Sequence, residues 1–136
     1  GALRFMNDPA ADMASKDYYP ERIMPGGTDR GGVHLNSGMP NLVHVLMTQG
    51  GTHPRGKSTV QVPAIGIESS LRIFYLANSK LLTASSTFEQ ARYAMAQAAQ
   101  TLYGRCTKEV SAVQKAWDAV GVPGVWQPCV RPPSHF

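Results

Sequence analysis

The stretch of the chain best suited to chemistry is Thr28-Asp29-Arg30-Gly31-Gly32-Val33-His34-Leu35-Asn36-Ser37-Gly38, where an acid stands five residues ahead of a histidine with two glycines between them. Paired glycines let the backbone take positive φ and approach other groups closely, so a bend there can swing Asp29 onto the ring of His34. A carboxylate on one imidazole nitrogen fixes the tautomer and favours the charged form, which leaves the other N–H free to donate to a substrate. Asn36 and Ser37 are both good helix N-caps, which puts His34 in an extended segment just ahead of a helix. On residue types alone the pair also fits an ordinary surface ion pair or cap.

Metal chemistry of the His-Glu-x-x-His kind needs two ligands one helical turn apart with a base beside them. His34 is followed by Leu35, His44 by Val45, His53 by Pro54 and His135 by Phe136, and none has a second histidine four residues on. The chain therefore has no zinc motif of this kind, and no metal ligands are assigned in it. His44 falls beside an apolar stripe and reads as structural. His53 has no Asp, Glu, Cys or second His at ligand spacing and receives no catalytic role.

The elements that must position these residues are mainly helical. Residues 1–38 are punctuated by Pro9, Pro20, Pro25 and Gly26-Gly27 and predict an irregular arm. So long an opening without regular structure is unusual for a self-contained domain and fits one that lies against another domain. Leu42, Val43, Leu46 and Met47 predict a helix over Met39–Gln49, with Pro40 at an early position and Gly50-Gly51 as its stop. Val60-Gln61-Val62 alternates and suggests a very short strand. A second helix is expected over Ile67–Ser79, with Leu71, Phe74 and Tyr75 as core anchors. Ser86-Thr87-Phe88-Glu89 has capping-box spacing and opens a third, with Phe88, Ala91, Met95, Ala98 and Leu102 along its inner face and Gly104 at its end. Thr107 caps a fourth, with Val110, Val113, Trp117 and Val120 buried and Gly121 and Pro123 as terminators. The expected fold is mainly α, a bundle of about four to five helices with a long irregular N-terminal arm. The arm covers residues 1–38, the bundle 39–122, and a Pro-rich tail 123–136 follows, fraying at Arg131-Pro132-Pro133.

With 136 residues and a net charge of +4, the chain suits one domain. Its thirteen Lys and Arg are scattered without a basic run or interleaved aromatics, which argues against nucleic-acid binding. No apolar run approaches the roughly 20 residues that span a membrane, so no membrane partner is expected. The chain opens on Gly-Ala-Leu-Arg with neither an initiator Met nor an apolar leader, as expected of an excised domain or processed product. Cys106 and Cys129 flank the last helix and the tail, and two free buried thiols or a disulfide both fit.

The stretch around His34 resembles the Asp-x-Gly-Gly-Val-His-x-Asn-Ser-Gly segment of the thermolysin family of zinc metalloendopeptidases. Leu3-Arg4-Phe5-Met6-Asn7-Asp8-Pro9 is similar to that family's Leu-Arg-x-Met-x-Asp-Pro. Thr48-Gln49-Gly50-Gly51-Thr52-His53 resembles its Gln-Gly-Gly-Thr-His turn. Leu102-Tyr103-Gly104 and Ala116-Trp117-Asp118-Ala119-Val120-Gly121-Val122 resemble its closing helices. The motifs run in order from about residue 2 to 122.

The resemblance implies the C-terminal helical half of such an enzyme, secreted, and inactive without the N-terminal zinc-binding domain that would be its partner. Zinc would be the cofactor of the complete enzyme, with ligands outside this chain, and calcium is left open. His34 would hydrogen-bond the oxyanion formed during hydrolysis of a peptide or protein substrate. Asp29 would hold His34 in its charged form, Arg4 would bind the carbonyl of the residue after the scissile bond, and Leu3 would line the pocket for its side chain. The secreted context favours a Cys106–Cys129 disulfide. Arg30 departs from the asparagine common at that place, which bears on subsite preference. The alternative is a non-catalytic helical binding or structural module on the same scaffold. An isolated half is expected to expose an apolar patch where the other half docks.

Overall fold

The fold is described from a computed structural model, in which residues 8–12, 15–24, 38–82, 86–126 and 129 are described. Four α-helices make the bundle among these residues: α1 (Gly38–Gln49), α2 (Ile67–Leu76), α3 (Phe88–Tyr103) and α4 (Lys108–Ala119). The arm carries two short 3₁₀ turns, Pro9–Asp12 and Tyr19–Glu21. Mainly helical architecture is what the apolar periodicity predicts.

In α1, Met39, Leu42, Val43, Leu46 and Met47 form the buried face, as their three- and four-residue spacing requires. Gly50 ends it at φ +76°, a conformation that other residues adopt at a cost, and its N–H reaches the Leu46 carbonyl at 2.7 Å. The expected strand at Val60–Val62 is a single antiparallel bridge between Gly51 and Val62, with bonds of 3.0 and 2.8 Å. One bridge without a neighbouring strand has nothing to propagate along.

The expected core face of α2 needs correction. Ser70, Ile73 and Ala77 are buried there, whereas Leu71 is 52% and Tyr75 76% exposed. Phe74 is half-buried against the core. The apolar pattern points to the wrong face because a serine occupies the inner one. Its hydroxyl is satisfied in the interior by His44 Nδ1 at 2.8 Å, so burial costs little. The helical path also runs past Ser79: Ala77–Leu81 forms a π-helical turn, closed by the Leu82 N–H on the Ala77 carbonyl at 3.0 Å.

The capping box of α3 stands one residue later than expected. Thr87 Oγ1 accepts from the Gln90 N–H at 3.2 Å, and Gln90 Oε1 accepts from the Thr87 N–H at 2.7 Å. Glu89 is thereby released for the arm. The inner face of α3 is rich in alanine (Ala94, Ala96, Ala98, Ala99), and these short side chains let α4 approach closely, while Leu102 is exposed rather than buried. Thr107 caps α4 as expected, accepting from the Val110 N–H at 3.4 Å, and Val110, Val113, Trp117 and Val120 are all buried. Trp117 is the largest fully buried side chain, and one apolar cluster from all four helices packs around it.

Cys106 and Cys129 are joined by a disulfide that ties residue 129 to the start of α4. A second fastening lies upstream. Arg92 on α3, 3% exposed, donates from Nε to Gln114 Oε1 at 2.9 Å and from Nη1 to Asp118 Oδ1 at 2.6 Å and to the Val122 carbonyl at 2.7 Å. Gly124 lies against this guanidinium so closely that a methyl group there would overlap it. The expected fraying at Arg131-Pro132-Pro133 lies outside the described residues.

Candidate functional site

Leu3, Arg4, Asp29 and His34, the residues singled out for chemistry, lie outside the described residues. What is described is the frame at either end of the segment that carries Asp29 and His34, whose chain neighbours are Met24 and Gly38.

The frame is polar and strongly tied. The side chain of Asp17 is fully buried, as is that of His53. A buried carboxylate must be paired or hydrogen-bonded to be tolerated, and Asp17 is both. Arg55 Nε donates to Asp17 Oδ1 and Oδ2, each at 3.1 Å, and Nη2 also reaches Oδ1. His53 Nδ1 accepts from the Arg55 backbone N–H at 3.1 Å, which leaves Nε2 as the N–H that donates to the Asp17 carbonyl at 2.9 Å. Nε2 also lies 3.4 Å from Asp17 Oδ1. Glu21 joins from the arm, 2.7 Å from Arg55 Nη2 and 3.0 Å from Lys57 Nζ. These cations, Arg55 first, pull the Glu21 carboxyl down to about 2. Hydrogen bonding to Asp17 holds the Arg55 guanidinium above its already high range.

A second fastening joins the arm to α3. The Tyr19 hydroxyl donates to Glu89 Oε1, and its ring packs edge-on to Phe88 and carries the Arg22 guanidinium over its face, 3.7 Å from its centroid. That hydrogen bond raises the tyrosine pKa and lowers the carboxylate's. The Tyr19 N–H donates to the Val120 carbonyl at 2.7 Å. Gly121, at φ +81°, turns the chain beneath Tyr18 and Pro20, where a methyl would come within 2.9 Å of the ring.

Sequence reasoning gave His53 no role and passed over Asp17 and Arg55. They stand 36 and 38 positions apart in the chain, and no local pattern links them. The available signal was the glycine pair: Gly50 and Gly51 both take positive φ and turn the chain so that residue 53 points inward. His44, expected to be structural, meets the Ser70 hydroxyl at 2.8 Å. Burial pushes its imidazole below the ordinary value, and its ring packs edge-on to Phe74.

Beside His44 a groove of about 570 Å³ opens between α1, α2 and α3, lined by Pro40, His44, Leu71, Phe74 and Phe88. Ile67, Leu71 and Tyr75, four residues apart along α2, continue it as an exposed apolar stripe. Among the described residues no three of His, Cys, Asp and Glu come together in a way that could hold a metal ion, and no helix is long and apolar enough to cross a membrane.

The described residues form a helical domain that holds its N-terminal arm by a buried ion pair. Residues 1–122 match the family described as thermolysin metallopeptidase, alpha-helical domain. The chain is 44% identical over 121 residues to the bacillolysin of Bacillus cereus, a match covering 89% of the chain and 20% of that protein. Identity to the thermolysin of Alicyclobacillus acidocaldarius subsp. acidocaldarius is 45%, over 89% of the chain and 21% of the relative. Neutral protease B of Bacillus subtilis (strain 168) is 39% identical with the same coverage. The chain belongs to the thermolysin metallopeptidase family and corresponds to its alpha-helical domain. It spans about a fifth of the length of these relatives.

Proposed function

We propose that the chain forms one wall of the substrate cleft in a secreted zinc-dependent metalloendopeptidase, and that it cleaves nothing without the N-terminal portion that carries the metal. The observation that carries this reading is the family match over residues 1–122, a span that includes positions 3, 4, 29 and 34. The exposed stripe of Ile67, Leu71 and Tyr75 supports it, since monomeric proteins rarely leave a contiguous apolar face uncovered.

In this reading the residues of the chain act on a peptide substrate. His34 donates to the oxygen of the attacked carbonyl as negative charge develops there, so the bond is stronger in the transition state than in the ground state. Asp29 holds the imidazole charged and oriented. Arg4 clamps the carbonyl after the scissile bond, a task suited to a planar fork of donors, and Leu3 lines the adjoining apolar pocket.

The test joins residues 1–136 to the metal-bearing portion of a homologous protease and follows cleavage of a peptide. The chimera is expected to cleave, and His34→Ala to lower kcat by about 10²–10³-fold while the helical signal is retained. A chimera that cleaves equally well with alanine at position 34 refutes the role, and one that never cleaves favours a non-catalytic module.

A further inference from the structure

We propose that His53 and Arg55, acting through Asp17, are positioning residues that set the place of the segment bearing Asp29 and His34; the proposal rests on the catalytic reading above. The motif Gly50-Gly51-Thr52-His53 is otherwise without function in that reading. Its histidine donates to the backbone carbonyl of Asp17 in the arm, and the arginine two residues on grips the buried carboxylate of the same residue.

The place of that grip is what matters. Lys16, next to Asp17, lies against the first residue of α1: a methyl on Gly38 would overlap the Lys16 carbonyl oxygen and come within 2.8 Å of the Pro9 side chain. Downstream of Asp17, Glu21 is held by Arg55 and Lys57, and Tyr19 by Val120 and Glu89. Asp17 and Glu21 are thus held by one turn, residues 53–57, and residue 38 lies against Lys16 beside that grip, so the segment 25–37 runs in the chain between two ends placed next to the cluster. The cluster supports orientation more than stability. Buried ion pairs add little net stability over apolar side chains of equal volume, and their best attested use is to select one arrangement. Both side chains at its centre are fully buried, so they act at a distance from any substrate.

Misplacing a reacting group by about 1 Å costs on the order of 10²-fold in rate. The chimera described above, assayed well below its unfolding temperature and corrected for the folded fraction, therefore tests the proposal. His53→Ala should lower kcat by roughly 10–100-fold with KM nearly unchanged. His53→Gln, which keeps an N–H donor, should recover most of the loss. A positioning residue acts only through the group it positions, so His53→Ala combined with His34→Ala should be no slower than His34→Ala alone. If His53→Ala does not fold, Arg55→Lys carries the same comparison, since it keeps the charge and loses the two-pronged grip.

A kcat unchanged in the folded variant overturns the proposal, as does a loss that multiplies with that of His34→Ala. Wild-type cleavage by the His34→Ala chimera would instead sink the catalytic reading, and this proposal with it.

Discussion

Replacing Arg92 by methionine should be among the most damaging single changes in the bundle. The side chain is 4% exposed, and methionine occupies much of the space of its stem while removing all three donated bonds. Gln114 Oε1 and the Val122 carbonyl, both bonded at buried positions, are left unpaired at about 1–3 kcal/mol each. Asp118 is 40% exposed and regains water. The relief of a buried cation offsets part of the sum, so the expected net loss is about 2–4 kcal/mol. Urea unfolding followed by circular dichroism and by tryptophan fluorescence measures it, with an unchanged m-value as the sign that only stability moved. The control is Arg72→Ala, which breaks an ion pair with Glu68 whose side chains are 61% and 78% exposed, and should cost no more than about 0.5 kcal/mol. If Arg92→Met cost no more than this control, the picture of a buried three-way anchor would be wrong.

Stability should fall with acidification. The Glu21 carboxyl is held near 2 in the fold against an ordinary 4.5, so its contribution is present above about pH 4.5 and is lost as pH falls toward 2; Glu89 is lowered too, by the Tyr19 hydroxyl, and its contribution is lost in the same direction. His44 is lowered by burial, so its share begins to be lost below its ordinary 6.5. Urea midpoints at pH 7.5, 5.5 and 3.5 should descend in that order, with Glu21→Gln flattening the acid limb, and a rising midpoint would contradict the assignment. Reducing the Cys106–Cys129 disulfide, which spans 23 positions, should cost about 3 kcal/mol and lower the melting temperature. An unchanged melting temperature after complete reduction would show that the tail contributes nothing to the fold.

Much of the architecture was legible in the chain because it is written at short range. The stripe of α1 repeats at three and four residues and gave its buried face correctly. Thr107 capped the helix it was expected to cap, and the glycines at 50, 104 and 121 stopped helices where expected. Errors came where a local rule had two nearly equal solutions. Ser86 and Thr87 each have a carboxylate or amide three residues on, and Thr87 took the cap because Glu89 was claimed by Tyr19, 70 positions away. Leu71 and Tyr75 looked like anchors, yet α2 turned them outward because Ser70 found His44 across the groove.

The helices of this domain, the order of its motifs and its family could be read from the sequence alone, because capping, periodicity and motif spacing are relations between near neighbours. Only the tertiary structure decided which face of α2 is inner, that Arg92 fastens α3 to α4 and to the tail, and that Asp17 meets His53 and Arg55. Those outcomes join residues 22 to 38 positions apart. A buried charge accepts whichever partner the packed chain brings within about 3 Å, and that choice is made by the assembled core, with no trace in local spacing.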